Sequence, residues 1–97
     1  MSTYVILMKL TEQGIKDIKN APQRVKEVSQ ALEAAGGKVL AFYVVMGDYD
    51  YVAVAEAPGD EVAMAQLLGM AKMGTVRTTT LKAFTLEEFS QVLEKLP

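Results

Sequence analysis

The amino-acid sequence predicts an α+β fold in which the elements follow the order β-α-β-β-α-β, with one further helix at the end. Three observations predict it: apolar runs rich in β-branched and aromatic residues, stretches with apolar residues at helical spacing, and Gly or Pro between them. This order is typical of the ferredoxin-like arrangement, in which two helices cover one face of a four-stranded antiparallel sheet. At 97 residues the chain is predicted to form a single domain over residues 1–97.

Four apolar segments with high β-propensity are predicted to be the strands. They span residues 3–10, 38–46, 49–57 and 75–84. The second and third segments are separated by Gly47 and Asp48, which we interpret as a two-residue hairpin turn. Gly47 is expected to take a positive φ there, and Asp48 is expected to be a solvated turn residue.

Helices are predicted over residues 21–35 and 61–73 and after Thr85, with a shorter turn over 12–19. Asn20 and Asp60 are placed to cap the first two helices with their side chains. Thr85 and Glu88 have the spacing of a capping box at the start of the last helix.

The composition excludes several classes of function. The chain has no Cys and no His, which removes thiolate nucleophiles, the commonest general base and the commonest transition-metal ligand. Its 10 basic and 12 acidic residues are interspersed, so no basic surface for a nucleic-acid backbone is expected. We therefore predict no metal site, no cofactor and no nucleic-acid partner.

Membrane association is not predicted either. No apolar run reaches the roughly 20 residues that a membrane-spanning helix needs. The apolar segment near the N-terminus is too short for a secretory signal and has no basic region before it. We expect a cytoplasmic protein.

The segment over residues 38–46 is apolar at both alternating sets of positions, which indicates self-association. A strand with one solvated face should instead alternate apolar and polar residues. Because two helices cover only one face of the sheet, a monomer would expose an apolar patch on the other. We predict a homodimer or higher oligomer, most simply with two sheets packed face to face. The alternative is that the terminal helix covers the second face.

Tyrosines and Asp50 around the predicted turn are candidate binding residues. Strand alternation places Asp50 on the face opposite Tyr49 and Tyr51. Asp50 either fastens the turn by accepting backbone N–H bonds or takes part in ligand binding or proton transfer. An arginine could pair with this carboxylate or with a ligand carboxylate. The predicted ligand-binding set is Tyr43, Tyr49, Asp50, Tyr51, Arg77 and Arg24.

Two segments, "VMGDYDYVAVAEAP" at 45–58 and "MGTVRTTTLKAF" at 73–84, resemble the GYD-domain family. That family is named for a Gly–x–Tyr–Asp signature like the one at residues 47–50. The upstream "LTEQGIKDIKNAPQR" at 10–24 is also similar to the family's first segment, so the resemblance extends to about Phe84. It implies a dimeric α+β barrel and no established reaction.

The same two segments more distantly resemble the effector-sensing domain of leucine-responsive-type regulators. This resemblance rests on the Gly–x–Tyr–Asp turn and on Gly74, Val76, Thr78 and Thr80. It implies amino-acid-like effectors bound near that turn at subunit interfaces. No helix-turn-helix segment precedes these residues in the sequence, so a DNA-binding regulator is not expected.

Three function hypotheses follow. The leading one is a homo-oligomeric domain, a sensor or accessory protein, that binds a small organic or amino-acid-like ligand at the subunit interface. The second is a cofactor-independent enzyme, an oxygenase or isomerase, with Asp50 as base and a Tyr as acid. The third is a structural assembly unit without a ligand.

Overall fold

The structure is a computed structural model that describes all 97 residues. The strands are β1 (Ser2–Leu10), β2 (Lys38–Val44), β3 (Tyr51–Ala57) and β4 (Val76–Ala83). The α-helices are α1 (Glu12–Lys16), α2 (Ala21–Ala34), α3 (Asp60–Met73) and α4 (Leu86–Leu93), and a short 3-10 helix, Ile18–Asn20, joins α1 to α2. The predicted order is confirmed, and the predicted turn over 12–19 contains α1.

The four strands form one antiparallel sheet in the order β2-β3-β1-β4. This order and the helix connections confirm the ferredoxin-like fold. β1 and β3 are the central strands, and β2 and β4 are the two edges. The longer helices α2 and α3 pack on one face, which we call the helix-covered face. The opposite face carries no helix and is called the open face.

The connection between β2 and β3 is longer than predicted. Pairing ends at Val44 and Tyr51, so six residues connect the strands and the predicted two-residue turn is wrong. One further backbone bond, from the Val45 N–H to the Asp50 carbonyl at 2.9 Å, continues the hairpin, and the Asp50 N–H donates to the carbonyl of Met8 on β1 at 2.9 Å. Gly47 has a φ of 115°, which confirms the predicted positive φ.

A β-bulge in β2 changes which side chains share a face. Val39 pairs with Ala55 and Ala41 with Val54, so Leu40 is the extra residue. Simple alternation places Val39 with Ala41, but the bulge moves Val39 to the helix-covered face. β2 is apolar on both faces, as the sequence predicts.

Two of the three predicted side-chain caps are wrong. The side-chain amide of Asn20 donates to the carboxylate of Asp17 at 2.5 Å, and no cap bond forms. Asp60 is the first residue of α3, and its carboxylate accepts bonds from other elements of the fold. The capping box of Thr85 and Glu88 is confirmed, with bonds of 3.1 and 2.8 Å.

The hydrophobic core is thin and lies under the helix-covered face. Only ten of the 97 residues are buried, as expected when one face of the sheet has no cover. The buried side chains of the central strands are Tyr4, Met8, Tyr51, Ala53, Ala55 and Ala57. The single chain thus leaves about half of its sheet surface without packing partners.

Helix α4 extends away from the rest of the domain. The radius of gyration is 14.7 Å, against about 12.5 Å for a compact chain of this length. None of the residues of α4 is buried, although Phe89, Val92 and Leu93 are apolar. None of the helices combines the length and apolarity that a membrane span requires.

Candidate functional site

The open face carries an apolar patch between two charged ends. Strand pairing aligns its side chains in rows that run across all four strands. The two middle rows are Ala41, Val54, Val5, Leu81 and Tyr43, Val52, Leu7, Thr79. We call these eight residues the open-face patch. Lys38 and Glu56 flank it at one end, and Lys9 and Arg77 at the other.

Exposure within the patch increases toward the edge strands. Tyr43 on β2 is 64% exposed and Leu81 on β4 is 50% exposed. The valines and the leucine of the two central strands are half-buried, because their neighbours in the sheet shield them. An apolar centre with a charged rim is the anatomy of a protein–protein interface.

Two of the six predicted ligand-binding residues lie away from this face. Tyr51 is buried on the helix-covered face, where its ring packs at 5.2 Å from that of Phe42. The guanidinium of Arg24 bonds to the carboxylate of Asp17 at 2.7 Å and to its carbonyl at 2.9 Å. Arg24 therefore joins the start of α2 to the segment before it.

Tyr43, Tyr49 and Arg77 lie toward the open face but not together. Tyr43 is on β2 and Arg77 is on β4, so three strand spacings, roughly 14 Å, separate the two strands. The ring of Tyr49 lies 5.3 Å from the ammonium of Lys9, which is paired with Arg77 on β4. One chain alone does not bring these three side chains into one pocket.

Asp50 ties the β2–β3 connection to the end of β1. Its carboxylate Oδ2 accepts the backbone N–H of Leu10 at 2.8 Å, while its own N–H donates to Met8. Of the two interpretations of this carboxylate, the geometry supports acceptance of a backbone N–H. The donor N–H belongs to β1 and the acceptor carboxylate to the β2–β3 connection, so Asp50 fixes the two segments to each other.

A polar cluster that the sequence analysis did not find lies at the start of α3. The hydroxyl of Tyr4 donates to Asp60 Oδ1 at 2.5 Å, and the ammonium of Lys82 lies 3.0 Å from the same oxygen. Tyr4 and Lys82 are paired across β1 and β4. The pairing of Tyr4 with Lys82 would have revealed this cluster, but that pairing follows only from the register of β1 against β4.

Mutual bonding shifts the pKa values of this cluster. The hydrogen bond from Tyr4, and then that from Lys82, lowers the pKa of Asp60. The bond to Asp60, and secondarily burial, raises the pKa of Tyr4, and the same carboxylate raises the pKa of Lys82. Each group is paired within the cluster, which joins β1, β4 and α3. No group of three or more acidic side chains is arranged to hold a metal ion.

The role of Asp50 can be tested by replacing its carboxylate. We expect Asp50→Ala to lower the free energy of unfolding by about 1–3 kcal/mol, because the Leu10 N–H loses its acceptor. Asp50→Asn retains an acceptor oxygen and should lose less. Asp48→Ala is the matched control, since Asp48 is exposed, and should change stability by less than about 0.5 kcal/mol. Urea unfolding measures all three. Equal stability of Asp50→Ala and wild type would contradict the assigned role.

The cluster of Tyr4, Asp60 and Lys82 predicts that the free energy of unfolding depends on pH. The pKa of Asp60 is lowered on folding, so its contribution is present above about pH 4 and is lost as the pH falls through the lowered value. The pKa of Tyr4 is raised, so its contribution is present below about pH 10 and is lost as the pH rises. The difference in unfolding free energy between wild type and Tyr4→Phe should therefore be largest between these limits. Tyr49→Phe, which removes a tyrosine hydroxyl outside this cluster, is the matched control. A pH-independent difference for Tyr4→Phe would contradict the assignment.

Comparison with known proteins identifies the family of this chain. A protein of the bacterium Thermus thermophilus, named glutamine synthetase and cystathionine beta-lyase binding protein, is 38% identical over 89 residues. The similarity covers 91% of this chain and 94% of that relative. Residues 4–93 also match the description of the GYD domain. The resemblance in the sequence is thereby confirmed, and the chain belongs to the GYD domain family.

Proposed function

We propose that the protein is an accessory domain that binds metabolic enzymes and that it acts as a homodimer formed through the open face. The observation that carries the proposal is the open-face patch, an apolar surface with charged ends that this chain leaves uncovered. The choice of partner class is supported by the name of the Thermus thermophilus relative, which describes a protein that binds two enzymes.

Self-association is supported by the geometry of the patch. A second copy would place an identical apolar centre on this one, while the charged residues at each end would stay at the rim in contact with water. Removing one valine or leucine side chain from water contributes about 1.5–3 kcal/mol. Several such side chains from each copy would be buried together, and the thin core of the single chain would then have a second layer.

Helix α4 offers a second uncovered apolar surface. It has only eight residues, and a helix of this length is not stable in water without tertiary packing. Its apolar residues Phe89, Val92 and Leu93 are each about half exposed, so the domain itself supplies little of that packing. The exposure of these residues supports the proposal that α4 packs against another chain in the assembled protein.

A more specific version of the proposal adds a small-molecule site at the subunit interface. Tyr43, Tyr49 and Arg77 lie toward the face that a second copy would enclose, so a ligand between two copies remains a prediction for these three. Asp50, Tyr51 and Arg24 have partners within the chain and would act there only indirectly.

The proposal is tested with two leucine variants of matched chemistry. Leu81→Lys puts a charge in the open-face patch, and Leu68→Lys puts the same charge at a comparably exposed position on α3. Light scattering should give wild type and Leu68→Lys about twice the chain mass of 10.6 kDa, and Leu81→Lys the mass of one chain. Both leucines are at least half exposed in the single chain, so neither change should prevent folding.

The same three proteins are then titrated against glutamine synthetase and cystathionine beta-lyase from the organism that encodes this chain. Isothermal calorimetry should show saturable binding of wild type and of Leu68→Lys to at least one enzyme. If neither enzyme binds wild type, the proposed partner class is wrong. A wild-type protein with the mass of one chain would instead contradict the dimer.

A further inference from the structure

A cavity of about 100 Å³ lies between the sheet and helices α2 and α3, on the helix-covered face. Its origin is the row of short side chains on β3, where Ala53 and Ala55 leave a gap that the helices do not fill. Most of the lining is apolar. Representative residues from the sheet and the two helices are Ile6, Phe42, Val28, Leu32, Leu67 and Met70.

One polar atom at this cavity has no partner in the protein. Thr80 is paired with Ile6, which places it on the helix-covered side of β4, and it lines the cavity. Its Oγ1 is buried and makes no hydrogen bond. Buried hydroxyl groups are nearly always hydrogen-bonded, because an unpaired one opposes folding. The unpaired hydroxyl therefore marks a position for a hydrogen-bonding group from outside the chain.

The lining provides no free charge. The guanidinium of Arg24, which borders the cavity, is held by Asp17. Glu56 also borders it, but strand pairing with Lys38 and Thr3 places the Glu56 side chain on the open face. A charged ligand would be buried here without an opposite charge, which is strongly unfavourable.

A groove on the outer surface between α2 and α3 leads toward the cavity. Val28, Gln66, Met70 and Met73 line both the groove and the cavity, so the two spaces adjoin. Met73 is 41% exposed, and methionine side chains are unbranched and adaptable. The groove is therefore the side from which a small molecule would enter, by displacement of the methionine side chains and without opening of the sheet.

We propose that this cavity binds a small, uncharged, mainly apolar molecule whose single hydrogen-bonding group pairs with Thr80 Oγ1. An apolar cavity of about 150 Å³ accommodates benzene, so a cavity of about 100 Å³ takes a molecule no larger than a single ring, part of which would lie in the adjoining groove. The site lies on the opposite side of the sheet from the open-face patch and is independent of the proposed enzyme binding.

Phenol and toluene are the probes, because they share a ring and differ in the hydrogen-bonding group. Each is titrated into the full chain while methyl NMR shifts of Ile6, Leu67 and Met70 are followed. Phenol should produce saturable shifts at these methyls in wild type. Thr80→Val keeps the side-chain shape and removes the hydroxyl, so it should weaken phenol binding about fivefold and leave toluene binding unchanged. Thr79→Val makes the same change on the open face and should affect neither probe.

Ala55→Leu supplies a second test by filling the cavity, and it should abolish the shifts caused by both probes. If that variant does not fold, the comparison of Thr80→Val with Thr79→Val still decides, because both changes preserve side-chain volume. The proposal is overturned if neither probe shifts the cavity methyls of wild type. It is also overturned if Thr80→Val leaves phenol binding unchanged or weakens phenol and toluene equally.

Discussion

Coverage of the sheet on one face only is the constraint on which the rest of this structure depends. Helices α2 and α3 bury the side of the central strands that carries Tyr4, Met8 and Tyr51, and the other side has no helix. A sheet whose second face were polar would be complete in this state. Here the second face carries Val5, Val54 and their neighbours, so the chain exposes an apolar surface whose contact with water is unfavourable. Helix α4 likewise leaves its apolar residues about half exposed, so the single chain has two apolar surfaces without cover.

The division into two faces also separates the chemical groups of the molecule. The tyrosines that follow one another in the sequence lie in different environments, with Tyr51 in the core and Tyr49 beside Lys9. Asp50, between them, bonds to the end of β1. The Gly–x–Tyr–Asp segment therefore has a structural role, which is to attach the β2–β3 connection to β1. Binding functions are better supported by the two surfaces on either side of the sheet: the open-face patch for protein, and the cavity at Thr80 for a small molecule.

Much of the fold could be predicted because it depends on local patterns. The order of elements, the capping box at Thr85 and the positive φ of Gly47 all follow from residue type and spacing, and the structure confirms them. The features that could not be predicted depend on contacts between distant segments. Asp60 was expected to cap α3, but Tyr4 and Lys82 compete for its carboxylate from two strands. The bulge at Leu40 and the cavity under α2 and α3 depend on strand register and helix position, which no local pattern contains.

The central claim is that a second copy of this chain covers the open face. It is tested most directly by isotope-filtered NMR on a mixture of methyl-labelled and unlabelled protein, which detects contacts between copies only. We expect intermolecular contacts from the methyl groups of Val5, Val54 and Leu81 to open-face residues of the unlabelled copy. Intermolecular contacts confined to the methyl groups of α4, or none at protein concentrations of several hundred micromolar, would contradict the claim.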